Sequence, residues 1–136
     1  MNNDNSGILG LDFGTKKVGV ALSHGFVAEA VGSIKYLENK EKFFDEIKKI
    51  IDEQKIGKVI IGLPLREGGE SDQSNWTRRQ AAELEKQISA EVEFVDESYS
   101  SAQAVNNLSK KGDIDSESAK IILEQYLDTK GKSYEA

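Results

Sequence analysis

The sequence predicts a mixed α/β fold in which one five-stranded sheet carries helices on both faces. Short apolar runs of strand length alternate with segments in which apolar residues recur at helical spacing. Their order is strand, strand, strand, helix, strand, helix, strand, helix, helix, and this order supplies helices to both faces of one sheet. A length of 136 residues suits one hydrophobic core, so we expect a single domain over 1–136.

Three strands open the chain. GILGLDF at 7–13 and VGVAL at 18–22 flank the short segment GTK, which is typical of a hairpin. A third candidate strand lies within 27–37. Apolar residues then recur at helical spacing over 40–54, which predicts an amphipathic helix.

The rest of the chain alternates helices with strands. Gly57 is expected to end a connection, and KVIIGL at 58–63 is the continuous β-branched run expected of a strand buried on both faces of a parallel sheet. The remaining predicted elements are a helix over 74–89, a strand at 92–95, helices over 101–110 and 115–127, and a flexible tail from about residue 129.

Composition limits the chemistry that is possible. The chain has no cysteine, which excludes disulfides, thiolate zinc sites and a cysteine nucleophile, so oxygen ligands would hold any metal ion. The net charge of −6 argues against a large basic footprint for nucleic acid, but acids that converge on divalent cations would present positive charge to phosphate. Neither a secretory signal nor a membrane-spanning run is visible, so a cytoplasmic location and no membrane partner are expected.

Asp12 is the first of three acids in unusual positions. Strand alternation places Ile8, Gly10 and Asp12 on one face of an apolar strand. A carboxylate there is costly unless it is paired, hydrogen-bonded or bound to a metal ion. The alternative is a turn residue that accepts hydrogen bonds from the amide of Gly14 or Thr15.

Two more acids follow an apolar strand directly. Asp96 and Glu97 come after VEFV, and alternation allows one of them to face a shared site. The alternative is that Asp96 or Ser98 caps the following helix and leaves Glu97 in its first turn.

Asp115 shares a helical stripe with Ala119, Ile122 and Tyr126, so it would face the same way as the buried residues. Capping of the helix is the alternative, because acids and serine are favoured at helix starts. Converging carboxylates suit Mg²⁺ or Mn²⁺. Two such ions about 4 Å apart could activate water against a phosphodiester, so the three acids predict a metal-dependent hydrolase.

Four segments resemble one family. ILGLDFGTKKVGVALS at 8–23 is similar to the opening signature of the YqgF family, also called RuvX-like, of pre-ribosomal-RNA nucleases and Holliday junction resolvases. IIGLPL at 60–65, DESYSSAQA at 96–104 and IDSESAKIILEQYLD at 114–128 continue the resemblance in the same order. Nearly the whole chain is therefore covered.

The resemblance implies a ribonuclease-H-like fold and a metal-dependent site with Asp12, Glu97 and Asp115 as its catalytic residues. From the chemistry of carboxylates we expect these three residues to hold two Mg²⁺ or Mn²⁺ ions. The implied activity is nuclease action at the 5' end of pre-16S rRNA in ribosome biogenesis, with resolution of branched DNA at Holliday junctions as the alternative. The implied partners are structured RNA, branched DNA and ribosomal particles. The sequence leaves open whether the chain is a monomer or a weak homodimer.

The chain also departs from the family pattern. Ser98 stands where the family usually has arginine, which removes a cation that could hold a phosphate, and Ser118 replaces a small apolar residue. The remaining candidates for phosphate contact are Lys16, Arg66, Arg78 and Arg79.

Two other classes of function stay open. LDFGTKKVGVAL also resembles the phosphate-binding loop of the actin, Hsp70 and sugar-kinase superfamily, although those ATPases need two related domains and this chain has length for one. A non-catalytic domain that binds RNA or ribosomes is the third reading, favoured by the missing arginine and the acidic net charge.

Overall fold

A computed structural model describes residues 7–14, 16–25, 27–35, 39–64, 71–96 and 114–135, with the backbone alone described at 114–115 and 129–135. The elements in these ranges are Gly7–Phe13 (β1), Lys17–Ser23 (β2), Ala28–Lys35 (β3), Lys40–Gln54 (α1), Ile56–Leu63 (β4), Asp72–Gln87 (α2), Glu91–Asp96 (β5) and Ile114–Glu135 (α3).

The strands form one mixed sheet in the order β3-β2-β1-β4-β5. β1 pairs antiparallel with β2, and β2 pairs antiparallel with β3. β1 with β4 and β4 with β5 are parallel pairs, because α1 and α2 return the chain to the same edge of the sheet before each new strand. The predicted five-stranded sheet is confirmed.

Each face of the sheet has its own buried cluster, and helices cover both. On one face, here the α1–α2 face, large side chains of β1, β2 and β4 pack against the two helices. On the other, the α3 face, smaller residues pack against α3. The first cluster includes Leu9, Leu11, Phe13, Val18, Val20, Val59, Ile61, Phe43, Ile47 and Leu84, and the second includes Ala21, Ala28, Ile60, Ala119, Ile122, Leu123 and Tyr126. Burial of a Leu, Ile or Phe side chain contributes about 1.5–3 kcal/mol, so both layers stabilise the fold.

Helix α1 begins and ends where it was predicted, because it has a cap at each end. The side chain of Asn39 accepts a hydrogen bond from the amide of Lys42. At the other end Lys55 adopts a left-handed conformation (φ 56°), and its amide donates to the carbonyl of Ile51.

Two predicted boundaries shift in the middle of the chain. β4 begins at Ile56, and Gly57 lies inside it where the register with β1 shifts, so the prediction that Gly57 ends the connection was wrong. A bulge accommodates the extra residue without ending the strand. α2 begins at Asp72 because Ser71 caps it in a reciprocal pair with Ser74, and it ends at Gln87.

The last helix is longer than predicted, since α3 continues from Ile114 to Glu135. Apolar residues stop recurring at helical spacing near Leu127. The sequence beyond this point therefore resembles a polar tail, although the helix continues. The flexible tail and the single domain remain predictions, and the predicted helix over 101–110 lies outside the described residues. Within the described ranges, no helix combines the length and apolar character needed to cross a membrane.

Candidate functional site

Asp12 is a buried carboxylate, 8% exposed, at the second-last position of β1. It lies on the α3 face, opposite Gly19 of β2, while its neighbour Phe13 belongs to the cluster on the α1–α2 face. The predicted alternation is therefore confirmed. In the adjoining turn the Gly14 amide donates a hydrogen bond to the Lys17 carbonyl at 2.8 Å and closes the hairpin. Gly14 is one of the two residues whose amides were considered as hydrogen-bond donors to Asp12 if Asp12 were a turn residue.

Helix α3 crosses β1 closely at Gly10. A Cβ atom at Gly10 would lie 3.1 Å from the Ala119 carbonyl oxygen and 3.3 Å from the Leu123 Cβ. Farther along α3, the Tyr126 hydroxyl accepts a hydrogen bond from Lys58 Nζ at 2.9 Å. Because Lys58 is paired with Ile8 of β1, α3 passes from the Gly10 level toward the amino end of β1. α3 is thus antiparallel to β1.

This direction defines where the start of α3 lies. Asp12 is two residues beyond Gly10, about 7 Å along the strand. Asp115 is four residues before Ala119, about 6 Å along the helix axis. Both displacements point the same way, so the backbone at Asp115 lies toward the strand end that carries Asp12. The side chain of Asp115 is outside the described part.

Glu97 also lies outside the described residues, and the structure describes only the strand that precedes it. β5 ends at Asp96, which pairs with Leu63 at the end of β4. Since β1, β4 and β5 are parallel, their carboxyl ends share one edge of the sheet, with β5 two strand spacings, about 10 Å, from β1. Among the described side chains, no three from Asp, Glu and His come together as a group able to hold a metal ion.

The predicted phosphate contacts are distributed around the molecule. Lys16 is exposed in the β1–β2 turn, at the same edge as Asp12. The Arg78 guanidinium lies 5.1 Å from the ring centroid of Phe94, which packs on the α1–α2 face, so Arg78 and Asp12 are on opposite faces of the sheet. Arg79 is exposed on α2, and Arg66 lies outside the described residues.

Sequence reasoning missed the buried polar character of the start of α3. Ser116, Glu117 and Ser118 are 2%, 9% and 1% exposed. The Ser118 hydroxyl is buried without a hydrogen-bond partner in the described part of the chain. The one available signal was Ser118 standing where the resembling family has a small apolar residue.

Lys58 anchors α3 at the other edge of the sheet. Its hydrogen bond to Tyr126, reinforced by its ion pair with Glu93 at 3.2 Å, raises the pKa of the Lys58 ammonium above its ordinary value, and burial opposes this only in part. This contact joins β4, β5 and α3 at the amino end of the parallel strands. It therefore fixes the position of α3 at the edge of the sheet opposite to the one that carries Asp12.

Comparison with solved structures identifies the fold. RuvC from Thermus thermophilus, in complex with a Holliday junction substrate, superposes with a TM-score of 0.61 at 9% sequence identity, covering 92% of this chain and 95% of that one. A second structure of Thermus thermophilus RuvC has a TM-score of 0.56 at 10% identity, covering 91% of this chain and 96% of that one. At such low identity the likeness concerns the fold alone, and it confirms the predicted ribonuclease-H-like architecture.

Sequence comparison identifies the family. A protein of Sulfurihydrogenibium sp. (strain YO3AOP1), named "Putative pre-16S rRNA nuclease", is 41% identical over 140 residues, 96% of each chain. A protein of the same name from Cupriavidus pinatubonensis is 37% identical over 124 residues, covering 89% of this chain and 87% of that protein. The family model described as RuvX, Holliday junction resolvase, matches residues 6–129. The chain therefore belongs to the RuvX family, a family of nucleases and resolvases.

Proposed function

We propose that this chain is a metal-dependent nuclease that hydrolyses phosphodiester bonds in structured RNA and processes the 5' end of pre-16S rRNA in the cytoplasm. The observation that carries the proposal is the burial of Asp12 at the carboxyl end of β1. The first residues of α3 lie toward the same end of that strand. The names of relatives that cover nearly the whole chain support the choice of substrate.

The proposed site consists of Asp12, Glu97 and Asp115. Support for Asp115 comes from the antiparallel course of α3, which carries its backbone toward Asp12. Support for Glu97 comes from Val95, which packs on the α3 face, because alternation continued by two residues favours that same face. The chain lacks cysteine, and its only histidine, His24, follows the far end of β2, so carboxylates are the ligands available near Asp12.

Such a donor set fits Mg²⁺ or Mn²⁺, which prefer carboxylate oxygens. Bound divalent ions would supply Lewis acidity, which favours deprotonation of water and stabilises the leaving oxygen. The protein's own contribution is position: Asp12 is held in a strand that is paired on both sides, so its carboxylate has little freedom. In the net reaction the water oxygen forms a bond to phosphorus, one bond from phosphorus to a ribose oxygen breaks, and that oxygen takes up a proton to become a hydroxyl.

Resolution of Holliday junctions is the second candidate. The description of the family model favours it. The same three acids would serve, but symmetric cleavage of a four-way junction would require two copies of the site. The two candidates therefore differ in substrate and in the required oligomeric state.

The decisive experiment compares cleavage of a labelled pre-16S rRNA 5' fragment and of a four-way DNA junction in Mg²⁺ and in Mn²⁺. Wild type is compared with Asp12→Asn and with Asp52→Asn, a matched loss of one exposed acid on α1. We expect cleavage of the RNA by wild type and Asp52→Asn, and loss of at least 100-fold, roughly the size expected for loss of a central electrostatic group, in Asp12→Asn.

Three results would change the assignment. Cleavage of the junction alone would favour the resolvase. Unchanged cleavage by a folded Asp12→Asn protein would contradict the proposed site. Binding of RNA without cleavage by any protein would favour the non-catalytic reading.

A further inference from the structure

Two lysines face each other across β2 and β3, the two strands on one side of β1 and Asp12. Lys17, the first residue of β2, is the cross-strand partner of Lys35, the last residue of β3. Side chains of directly opposed residues point to the same face of the sheet, so two positive charges stand side by side. Two cationic groups at this spacing on one face suit contact with the phosphates of one nucleic-acid strand.

The face and the edge are those of Asp12. In β2, alternation places Lys17 with Gly19, and Gly19 is the partner of Asp12 on the α3 face. Gly19 is in turn the partner of Ser33 in β3, so a carboxylate, a glycine and a hydroxyl form one row across three strands. The lysine pair forms the next row toward the edge, about 7 Å beyond.

A groove continues from this pair around the edge of the sheet. It has a volume of about 220 Å³ and is lined by Ser33, Ile34, Lys35, Asn39, Lys42 and Glu46. Among the described residues that line it, two lysines and one glutamate give a net positive charge. It also meets the amino end of α1, whose partial positive charge favours phosphate oxygens.

We propose that Lys17, Lys35 and Lys42 form a phosphate-binding track, which leads the sugar–phosphate backbone of the substrate strand from Asp12 across β2 and β3 to the start of α1. The track rests on the proposed nuclease function. Lys17 lies one strand from Asp12 and Lys35 two strands from it, so they contact successive phosphates beside the cleaved bond. A local track also explains how a chain of net charge −6 binds a polyanion.

A second lysine-bearing groove provides a matched control. It has a volume of about 330 Å³, and its lining includes Lys48, Lys86 and Asp52, at the ends of α1 and α2 away from Asp12. The track variant carries Lys17→Gln, Lys35→Gln and Lys42→Gln. The control variant carries Lys48→Gln and Lys86→Gln in this groove, together with Lys49→Gln, the exposed neighbour of Lys48 on α1. Both lose three positive charges, and glutamine keeps part of the aliphatic stem that packs on the surface.

The experiment measures the affinity for a fluorescently labelled single-stranded RNA over a series of KCl concentrations, without divalent cations so that no cleavage occurs. Three phosphate contacts contribute roughly 2 to the slope of log K against log[salt] for single strands. We expect the slope of the track variant to fall by about that amount and its Kd to rise at least 10-fold in 0.1 M KCl. The slope of the control variant should stay close to that of wild type.

Equal losses in the two variants would show that only net charge matters and would overturn the track. An unchanged slope in the track variant would overturn it as well. A further protein with Lys17→Arg, Lys35→Arg and Lys42→Arg should keep the wild-type slope, and a failure to do so would also contradict the proposal. Because binding is measured without cleavage, the two proposals are tested separately. The track can be refuted while cleavage still depends on Asp12, and the track can be supported while no protein cleaves RNA.

Discussion

Replacement of Gly10 by alanine tests the packing that orients α3 over the proposed site. The added Cβ would lie 3.1 Å from the Ala119 carbonyl oxygen, a backbone atom that cannot rotate away, and 3.3 Å from the Leu123 Cβ. Ordinary contacts at a Cβ are 3.4 Å or longer. α3 must therefore move off β1 by a few tenths of an ångström.

The expected loss of stability follows from two opposing effects. Overpacking of a core typically costs about 1–3 kcal/mol. Replacing glycine lowers the entropy of the unfolded chain, which offsets about 0.4–1 kcal/mol. We expect Gly10→Ala to lower the free energy of unfolding by about 1–2 kcal/mol, measured by urea denaturation, and the Tm by about 3–8 °C.

The same displacement should reduce nuclease activity. A misplacement of 1 Å can lower a rate about 100-fold, so a few tenths of an ångström should lower it roughly 3- to 10-fold. Gly57→Ala is the control, because Gly57 is an exposed strand glycine without a positive φ, and its stability should change by less than about 0.5 kcal/mol. A Gly10→Ala protein with wild-type stability and activity would refute the close approach of α3 and the direction inferred from it.

Three further predictions concern stability. Ser118→Ala should raise the free energy of unfolding by about 1 kcal/mol in urea denaturation, because it removes a buried hydroxyl that has no hydrogen-bond partner in the described part of the chain. The raised pKa of Lys58 means that its contact with Tyr126 stabilises the fold below the ordinary value of 10.5, and this contribution is lost as pH rises through the folded-state pKa. Tyr126→Phe should therefore cost about 0.5–1.5 kcal/mol at pH 7 and less above pH 10.5, as followed by denaturation across pH. Ser71→Ala should lower stability by about 1 kcal/mol in thermal unfolding, because it removes the cap of α2.

The bounds of a helix or strand were predicted accurately where neighbouring residues in the sequence determine them. Helix α1 was predicted to the residue, because its periodicity and its cap at Asn39 agree. β4 was predicted too short, because Ile56 joins the strand by pairing with Gly7, and this partner lies far away in sequence. The extension of α3 beyond Leu127 has no apolar period, so nothing in the local pattern distinguishes it from a tail.

The same distinction applies to the site. The burial of Asp12 follows from strand alternation, a local property, and it was predicted correctly. The pairing of Lys17 with Lys35 depends on the register of β2 with β3, which includes a shift near Val20, and no local pattern encodes it. The residues between β5 and α3, including Glu97, lie outside the described ranges, so their roles stay predictions.

Two contacts fix the course of α3 across β1. Tyr126 is held by Lys58 near the amino edge of the parallel strands, whereas Asp115, eleven residues earlier and about 16 Å along the axis, lies toward Asp12. Between them, Gly10 allows the helix to rest directly on β1. A rigid helix fixed at Tyr126 and at its crossing point has little freedom at its first residues. The contacts around Lys58 and Gly10 would therefore position an acid on α3 against Asp12 without either residue touching the substrate.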